Sequence, residues 1–351
     1  MKIAVLLSGG VDSSVALNLL HEKGHELTAY YLKIWLEEEL AFLGDCPWQE
    51  DLDYARAVCD KLGVPLRIMN MQQEYLDTVV EYTIKELKAG RTPSPDIMCN
   101  KMIKFGKFIH KLDEPYDKIA SGHYADIREI DGKYRLFRSP DPVKDQTYFL
   151  TYLNQEQLSK ILFPIGKYTK DEVRRLAARY ELPTAARKDS QGICFLGKIK
   201  YSDFIKFHLG EQPGDIINIE TGEKLGEHKG FWFHTIGQRQ GLGLGGGPWY
   251  VAKKDSDSNI IYVSHNNETE TITRDSLYAV DFNWIQRPED TKGLKVKLRH
   301  GPHMYDCDVD IISSGKVFIK LSGEDQGISP GQFAILYDGM ECLGGGVISL
   351  E

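Results

Sequence analysis

The first residues of the chain restrict its fold more than any other stretch. Residues 2–7 form a short run rich in leucine and β-branched side chains, which is typical of a buried parallel strand. Gly9 and Gly10 follow, and residues 11–20 then carry apolar side chains at helical spacing, with Gly24 as a C-cap. A strand, a glycine turn and a helix in this order direct free backbone N–H groups and the positive helix end toward an anion. The sequence therefore predicts an anion-binding α/β unit.

The glycine turn differs from the Walker loop, because no Gly-Lys-Ser or Gly-Lys-Thr follows it and no nearby lysine would reach the β and γ phosphates. Ser-Gly-Gly-Val-Asp-Ser at residues 8–13 instead resembles the pyrophosphate loop of the ATP pyrophosphatases, which split ATP into AMP and pyrophosphate. Ser8, Ser13 and Ser14 would add hydroxyl donors, and Asp12 would help to hold Mg²⁺, a hard cation with oxygen ligands. The alternative is an ordinary glycine-rich turn with a serine N-cap.

A chain of 351 residues exceeds the size of a usual single core, so two or three domains are expected. No run of about 18 apolar residues is present, and the chain enters a strand without a basic leader, which predicts a cytosolic protein with no membrane partner. The net charge of −8 argues mildly against a nucleic acid partner. Local basic stripes nevertheless occur at Lys101, Lys104, Lys107 and Lys111, and at Lys198, Lys200 and Lys206.

Strand-like and helix-like segments alternate in the first part of the chain, which predicts a doubly wound α/β domain with a parallel sheet. Ligands of such sheets bind at the carboxyl ends of the strands, where Ser8, Leu32 and Gly122 would lie. Asp131-Gly132 predicts a β-hairpin, and Thr169 with Glu172 predicts a capping box. Short strands with glycine turns begin near residue 213, and only strand signals follow residue 270. We expect an ATP-pyrophosphatase domain over residues 1–200, a small central domain over 201–270 and a C-terminal β-barrel over 271–351.

Six cysteines are too few and too scattered for a disulfide framework, and no Cys-x-x-Cys pair indicates a zinc ribbon. Cys99 lies in or beside the first turn of a helix introduced by two prolines and Ser94, where the positive helix end favours the thiolate. Asp96 is near enough in sequence to act as a general acid or base. The alternative is a buried cysteine at a helix start, with Asp96 only capping the helix.

Cys194 lies in a polar loop at residues 187–197 that has two glycines and flanking basic side chains. Such a loop suits a reactive, partly exposed thiol, and a core cysteine under the loop is the alternative. Cys59 and Cys307 have the apolar spacing of core residues, while Cys46 has no predicted role. His123 follows a predicted strand, where it would face the phosphate loop unless it is a structural histidine.

Four longer motifs resemble those of the tRNA-specific 2-thiouridylases, which thiolate the wobble uridine of certain tRNAs. The motifs are Pro-Ser-Pro-Asp-Ile-Met-Cys-Asn at residues 93–100, Asp-Ser-Gln-Gly-Ile-Cys-Phe at 189–195, His-Thr-Ile-Gly-Gln-Arg at 234–239 and Cys-Leu-Gly-Gly-Gly at 342–346. The resemblance covers nearly the whole chain. Three positions depart from the family pattern: Ser94 stands where Asn is frequent, His300 where an aromatic residue is common and Leu32 where Met is usual.

The resemblance implies a role for each candidate site residue. ATP would be bound by Leu6, Leu7, Ser8, Gly9, Gly10, Val11, Asp12, Ser13, Leu32 and Gly122. The tRNA would be contacted by Ser94, Pro95, Asp96, His123, Lys144, Asp145, Gln146, Arg299, His300 and Gln332. The catalytic residues would be Asp96, which transfers a proton, Cys194, which carries a persulfide, and Cys99, which closes a disulfide with Cys194 during turnover.

The implied reaction begins with attack of the uracil O2 atom on the α-phosphate of ATP, which gives an adenylated base and a pyrophosphate that the loop and Mg²⁺ stabilise. Persulfide sulfur on Cys194 then attacks C2, and exchange with Cys99 leaves the sulfur on the base. The uridine must leave its stack to enter such a site. The implied partners are tRNA and a persulfide carrier protein or a cysteine desulfurase, and a monomer is the expected state.

Two other functions are compatible with these motifs. An amidotransferase or ligase would share the loop but would have no use for two reactive thiols. An RNA-binding scaffold with a vestigial loop would bind tRNA without tRNA-dependent release of pyrophosphate. A metal cluster held by Cys99, Cys194 and one further ligand is also compatible with the sequence.

Overall fold

A computed structural model describes residues 1–34, 48–189, 200–265, 274–325 and 327–350. Among the helices in these ranges, none has the length and apolar character needed to cross a bilayer. The N-terminal elements are, in chain order, β1 (Lys2–Leu6), α1 (Val11–Glu22), β2 (Glu26–Lys33), α2 (Trp48–Leu62), β3 (Leu66–Asn70), α3 (residues 72–88), α4 (residues 95–110), β4 (Lys118–Ser121), β5 (Ala125–Ile130), β6 (Lys133–Arg138), α5 (Gln155–Lys160), β7 (Ile161–Leu162) and α6 (Lys170–Arg179).

β1 is the central strand of a parallel five-stranded sheet with the order β3-β2-β1-β4-β7. Ile3 and Val5 of β1 pack with Leu17 of α1 on one face, while Ala4 and Leu6 belong to the core of the other face. Both faces are covered, which explains why the strand is continuously apolar in sequence. The predicted doubly wound α/β domain is therefore confirmed. Its strand order reverses beside β1, and ligands of such sheets bind at this switch point.

Two helices of the N-terminal domain contain π-helical turns. In α3 the π-helical part is Leu76–Val80. In α4 the chain is α-helical over Pro95–Met98, π-helical over Cys99–Lys107 and α-helical over Phe108–His110. A Cβ on Gly106 would lie 2.7 Å from the carbonyl oxygen of Lys101, so a residue without a side chain allows the wide turn to close. Because π-helical turns are frequent at functional sites, the start of this segment at Cys99 draws attention to α4.

The central region forms a small mixed sheet with a helix beside it. Its core contains Ile216, Val251, Ile261 and Val263, which are buried. The strands have the order β10-β11-β8-β9. The elements are α7 (Tyr201–Leu209), β8 (Gly214–Asn218), β9 (Lys224–His228), β10 (Tyr250–Asp255) and β11 (Ile260–Ser264).

The C-terminal region is a closed β-barrel, as predicted. Its elements are β12 (Arg274–Trp284), β13 (Leu294–Lys297), β14 (Tyr305–Ser313), β15 (Lys316–Asp325), β16 (Phe333–Asp338) and β17 (Glu341–Ser349). The strand order is β12-β15-β14-β13-β16-β17, and pairing of β17 with β12 closes the barrel. Alternating residues such as Val309, Ile319 and Leu336 fill its interior. We retain the three domains, with the boundaries given above, as a proposal.

The predicted hairpin has a partner that the sequence did not indicate. Asp131 and Gly132 have φ angles of 52° and 72°, as the turn of a two-residue hairpin between β5 and β6 requires. The second strand then pairs with β17, with Leu136 opposite Cys342. The hairpin of the N-terminal domain thus extends the sheet of the barrel.

A buried ion pair joins the same two domains. Lys297 of β13 donates to Asp145 of the N-terminal domain over 2.8 Å, and both side chains are fully buried. Arg138 of β6 lies 3.2 Å from the same carboxylate, and the hydroxyl of Thr147 donates to its other oxygen. A buried charge is tolerated only with such partners. This pair therefore fixes the barrel against the N-terminal domain.

The pair predicts unequal effects of two substitutions on stability. Asp145→Asn leaves the buried Lys297 without a counter-charge, so we expect a loss of about 3–5 kcal/mol in the free energy of unfolding. Lys297→Met leaves Asp145 with Arg138 and should cost less. Urea unfolding followed by tryptophan fluorescence measures both losses.

The exposed pair between Lys320 and Asp275 supplies the control. Lys320→Met should change the free energy of unfolding by no more than about 1 kcal/mol. The structural role of the buried pair is refuted if Asp145→Asn stays within the range of this control. It is also refuted if Lys297→Met proves the more damaging change.

Candidate functional site

The predicted phosphate loop lies at the switch point between β1 and β4. Ser8 follows β1, and Gly122 follows β4 on the neighbouring strand. A Cβ on Gly122 would lie 2.6 Å from the backbone nitrogen of Ser13, so only glycine permits this approach to the first turn of α1. The N-cap residue of α1 is Gly10, so the alternative of a serine N-cap is wrong. The helix start is left to bind a ligand through its backbone.

The serine hydroxyls of the loop bind within the loop itself. The Ser13 hydroxyl accepts from the Ser8 N–H group over 3.2 Å and donates to the carbonyl of Gly10 over 3.1 Å. The Ser14 hydroxyl donates to the same carbonyl over 2.8 Å. These hydroxyls therefore hold the loop in its shape before any ligand binds.

Gly9 is fixed against the start of α2. Its φ is +75°, and a Cβ there would lie 2.1 Å from the carbonyl oxygen of Asp51. Arg187 donates to the Gly9 carbonyl over 2.7 Å and also pairs with the Asp51 carboxylate. Its guanidinium lies 4.6 Å from the ring centroid of Tyr54. Arg187, which precedes the segment with Cys194, thus fastens the phosphate loop to α2.

Four apolar residues were predicted at the nucleotide site, and Leu32 is the member of this set with a partly exposed side chain. Leu6, Leu7 and Val11 are buried. Leu32 lies near the carboxyl end of β2 and is only partly buried against the core that contains Leu6. Leu32 is therefore the member of this set that fits a wall for a flat ligand.

Lys170 is the functional candidate that the sequence analysis missed. Its ammonium nitrogen lies 2.7 and 2.9 Å from the two carboxylate oxygens of Asp12, and its side chain is 12% exposed. The sequence has no lysine close to Ser13, and Lys170 reaches the loop from 158 residues away along the chain. The predicted capping box of Thr169 and Glu172 is present and fixes where α6 begins. The capping box does not indicate that the start of α6 faces the phosphate loop.

Asp189 connects Lys170 to two further cations. Its carboxylate lies 2.9 Å from Lys170 and 2.8 Å from Lys144, and Arg174 also pairs with it. Burial opposes the charge, but the hydrogen bonds from Lys144 and Lys170 hold the pKa of Asp189 well below its usual value. Asp12 and Asp189 are therefore two carboxylates bridged by one ammonium beside the phosphate loop.

The donor set at Asp12 fits Mg²⁺ only in one binding mode. Within the described parts of the chain, no group of three or more His, Cys, Asp or Glu side chains could hold a metal ion. Mg²⁺ commonly uses one or two carboxylates together with substrate phosphates and water. Asp12 fits this mode if Lys170 shifts away, since Lys170 and the Tyr124 hydroxyl now occupy its oxygens.

His123 is a buried, neutral histidine. Its Nδ1 atom lies 2.8 Å from the Ser121 hydroxyl, and its ring packs against Phe105 and Phe163 at centroid distances of 5.9 and 5.6 Å. Burial and the nearby Lys104 lower its pKa well below the usual value. His123 therefore links β4 to α4 through ring contacts, and a contact with RNA through an imidazolium charge does not fit this environment.

The turn of Lys144, Asp145 and Gln146 uses its side chains inside the protein. Lys144 pairs with Asp189, and the Gln146 side-chain oxygen accepts from the Tyr124 N–H group over 3.0 Å. Asp145 is 1% exposed and pairs with Lys297. The predicted direct contact of Asp145 with tRNA is corrected to a positioning role. Its carboxylate is buried, and both oxygens are already bound by Lys297, Arg138 and Thr147.

The barrel packs against the segment that leads into α4. The N–H group of Thr92 donates to the carbonyl of Pro330 over 2.8 Å, and a Cβ on Gly331 would lie 2.8 Å from the carbonyl oxygen of Thr92. Ser94 is the N-cap residue of α4, although its side chain makes no capping bond. The structure thus brings Thr92, two residues before Ser94, into contact with Pro330 and Gly331, which directly precede Gln332.

Arg299 and His300 follow β13 at the same junction. Arg299 pairs with the buried Asp325, which also accepts from the Tyr305 hydroxyl, and its side chain is 50% exposed. The ring of His300 contacts those of Tyr148 and Phe149, with centroid distances of 6.3 and 4.6 Å. An exposed guanidinium held on one side by a buried carboxylate suits contact with a phosphate.

The two predicted thiols differ in what the structure describes. Cys99 is 1% exposed and belongs to a large apolar core that extends from Leu6 of β1 to Phe333 of the barrel. Cys194 lies outside the described residues, as does Cys46, so the meeting of Cys99 with Cys194 stays a prediction. The core role of Cys59 and Cys307 is confirmed, since both are buried and burial raises the pKa of each to about 12.

Comparison with known proteins gives matches over the whole chain. Three family models match consecutive parts and are described as a tRNA methyl transferase HUP domain (residues 1–198), a tRNA methyl transferase PRC-barrel domain (202–265) and an aminomethyltransferase beta-barrel domain (274–348). The chain is 48% identical, over 99% of both chains, to a tRNA-specific 2-thiouridylase MnmA of Parabacteroides distasonis. It is 47% identical to MnmA 1 of Bacteroides thetaiotaomicron, over 99% of this chain and 100% of that one. It is 43% identical to MnmA of Porphyromonas gingivalis, over 99% of both.

The close approach of Gly122 to α1 predicts the effect of one methyl group. Gly122→Ala must displace the first turn of α1, so we expect the Kd for ATP, measured by calorimetry, to rise at least tenfold, or about 1.4 kcal/mol. Gly315→Ala is the control, because nothing lies within 4 Å of a Cβ there. An unchanged Kd for Gly122→Ala would show that nucleotide does not bind at this turn.

Proposed function

The chain belongs to the tRNA-specific 2-thiouridylase family, and from this premise we propose that it is a tRNA-uridine 2-sulfurtransferase. It uses ATP to activate the wobble uridine of tRNA and replaces the O2 atom by sulfur from a protein persulfide. The reaction belongs in the cytosol, where tRNA and ATP are present. The observation that carries the proposal is the position of α4, with Asp96 and Cys99, between the two domains. Phe105 of α4 contacts the ring of His123, which follows β4, and Thr92, just before the helix, donates to Pro330 of the barrel.

In the first step the loop binds the triphosphate through the backbone of residues 8–13, with Leu32 against the adenine. The uracil O2 atom attacks the α-phosphate, pyrophosphate leaves, and Asp96 accepts the proton from N3. Mg²⁺ bound with ATP at Asp12 would neutralise charge on the leaving pyrophosphate. Lys170, moved off Asp12 by the metal but still paired with Asp189, would add a positive charge at the same edge, where charge accumulates on the departing oxygens.

In the second step the terminal sulfur of a Cys194 persulfide attacks C2, and AMP leaves with the original oxygen. The base is then joined to Cys194 through a sulfur–sulfur bond. The Cys99 thiolate attacks the Cys194 sulfur, which forms a Cys99–Cys194 disulfide and leaves the second sulfur on the base. A reductant must reopen this disulfide, and a persulfide carrier protein or a cysteine desulfurase must reload Cys194.

Asp189 supports the assignment of Cys194 to this site. It is the last described residue before the segment with Cys194, and it is held at the phosphate loop through Lys170. Five residues span at most about 18 Å when fully extended. A chain of this length is compatible with the proposed approach of Cys194 to the loop.

The test of the function is mass spectrometry of the wobble nucleoside after incubation with tRNA, ATP and a cysteine desulfurase with cysteine. We expect 2-thiouridine from the wild type and a loss of at least a hundredfold for Cys99→Ser and for Cys194→Ser, since each thiol takes part in a covalent step. Cys307→Ala is the matched control, because that thiol is buried in the barrel. Full turnover of both serine variants, with Asp12→Ala inactive, would favour a ligase instead.

The burial of Cys99 predicts a change in its reactivity. In the free enzyme Cys99 should react with N-ethylmaleimide at a rate similar to that of the fully buried Cys342, and binding of tRNA with a non-hydrolysable ATP analogue should speed its labelling at least tenfold. Peptide mass spectrometry measures both rates. Cys342 should stay protected throughout. Protection of Cys99 in every state would contradict the exchange step.

The position of Lys170 predicts its effect on ATP use. Lys170→Met removes the ammonium at the phosphate edge, so we expect tRNA-dependent pyrophosphate release to fall at least tenfold, because a charged hydrogen bond contributes about 1.5–3 kcal/mol. Lys160→Met, on an exposed helix face, should keep the wild-type rate. Equal rates for the two variants would remove Lys170 from the site.

A further inference from the structure

Two aromatic rings meet across the junction between the N-terminal domain and the barrel. Phe149 belongs to the short 3-10 turn Thr147–Leu150, and His300 follows β13. Their ring centroids are 4.6 Å apart, with an angle of 31° between the ring planes. Phe149 is half-buried and His300 is exposed. The rings therefore lie nearly face to face, with the half-buried Phe149 behind the exposed His300 ring, and we call this pair the aromatic shelf.

Phe149 is held by the helix that carries the candidate catalytic residues. The side-chain nitrogen of Asn100 donates to the Phe149 carbonyl over 3.0 Å, and Asn100 is 3% exposed. Tyr148 contacts the Phe149 ring edge-on at a centroid distance of 5.4 Å. Since Asn100 directly follows Cys99, the position of the Phe149 ring is tied to that of the thiol.

His300 contributes a neutral ring to the shelf. His300 is exposed as a residue, but packing of its ring against Phe149 and Tyr148 removes part of the water around the ring. This desolvation and the charge of Lys297 lower its pKa, while a hydrogen bond with the backbone of Asp145 and the charge of Asp96 oppose the shift. The ring therefore carries no charge near neutral pH, and Asp145, whose carboxylate pairs with Lys297, ties it to the N-terminal domain. Its neighbour Arg299 supplies the exposed cation of the junction.

We propose that the aromatic shelf of Phe149 and His300 stacks the nucleobase next to the target uridine. This inference rests on the proposed function and adds a substrate contact to it. In the proposed reaction the target base must enter the protein to reach Asp96 and the buried Cys99. The shelf is exposed, so it suits the adjacent base, which stays at the protein surface.

Stacking fits both the chemistry and the location of the shelf. Bases of single-stranded RNA loops are recognised by stacking on aromatic side chains, and each such contact contributes about 1–3 kcal/mol. The contact tolerates any base, because every base has a flat face. The exposed guanidinium of Arg299 lies where the phosphate beside a stacked base can be bound.

The experiment measures the Kd of full-length enzyme for tRNA at several salt concentrations. His300→Leu and Phe149→Leu should each raise the Kd about 5- to 150-fold, while His300→Phe keeps the ring and should bind like the wild type. The slope of log Kd against log salt should stay unchanged for all three, since none removes a charge. Arg299→Gln is the contrasting variant and should reduce that slope.

Two further tRNAs identify the occupant, each abasic at one neighbour of the target uridine. One of them should bind the wild type about 5- to 150-fold more weakly than intact tRNA, and should show no further loss with His300→Leu. The shelf would be refuted if the abasic site weakened binding to the wild type and to His300→Leu by the same factor. It would also be refuted if His300→Phe bound intact tRNA as weakly as His300→Leu does. If Phe149→Leu does not fold, the two His300 variants decide the result.

Binding is measured separately from sulfur transfer, so the shelf and the proposed function fail in different ways. Wild-type enzyme that makes no 2-thiouridine refutes the function. Active enzyme whose leucine variants bind tRNA normally refutes only the shelf.

Discussion

The buried contact between Lys297 and Asp145 is the constraint on which the candidate site depends. It lies where the barrel meets the N-terminal domain, and both charged groups are withdrawn from water. Their desolvation is tolerated only because the geometry keeps them together with Arg138 and Thr147. The contact specifies how the barrel sits, and so it holds the residues after β13 against the N-terminal domain, where His300 contacts Phe149.

Parts of the structure that follow from local interactions were predictable from the sequence. The strand, glycine turn and helix at the start of the chain, the hairpin at Asp131 and the capping box at Thr169 each depend on residues a few positions apart. The alternation of strands and helices was enough to predict the doubly wound sheet, because few topologies satisfy that order. The switch point then placed Gly122 opposite the phosphate loop.

What the sequence did not indicate depends on side chains that meet from distant parts of the chain. Lys170 reaches Asp12 because α6 packs beside α1, and nothing near Ser13 announces that packing. In the same way, the position of Cys99 at a helix start was predictable, but its burial depends on the elements that cover α4. The predicted role of Asp145 changed for the same reason, since Lys297 comes from the barrel. Residue type and spacing indicate which chemistry is available. Tertiary packing decides which of these groups are used in contacts within the protein and which can bind a ligand.

The pairing of β6 with β17 has a consequence for the order of folding. The strand β17 is made about 200 residues after the hairpin, and synthesis proceeds at about 5–20 residues per second. Until then one side of β6 presents unsatisfied backbone groups, which are a site for wrong association with other chains. The nascent N-terminal domain therefore has an open sheet margin for many seconds, and the barrel removes this hazard when β17 pairs with β6.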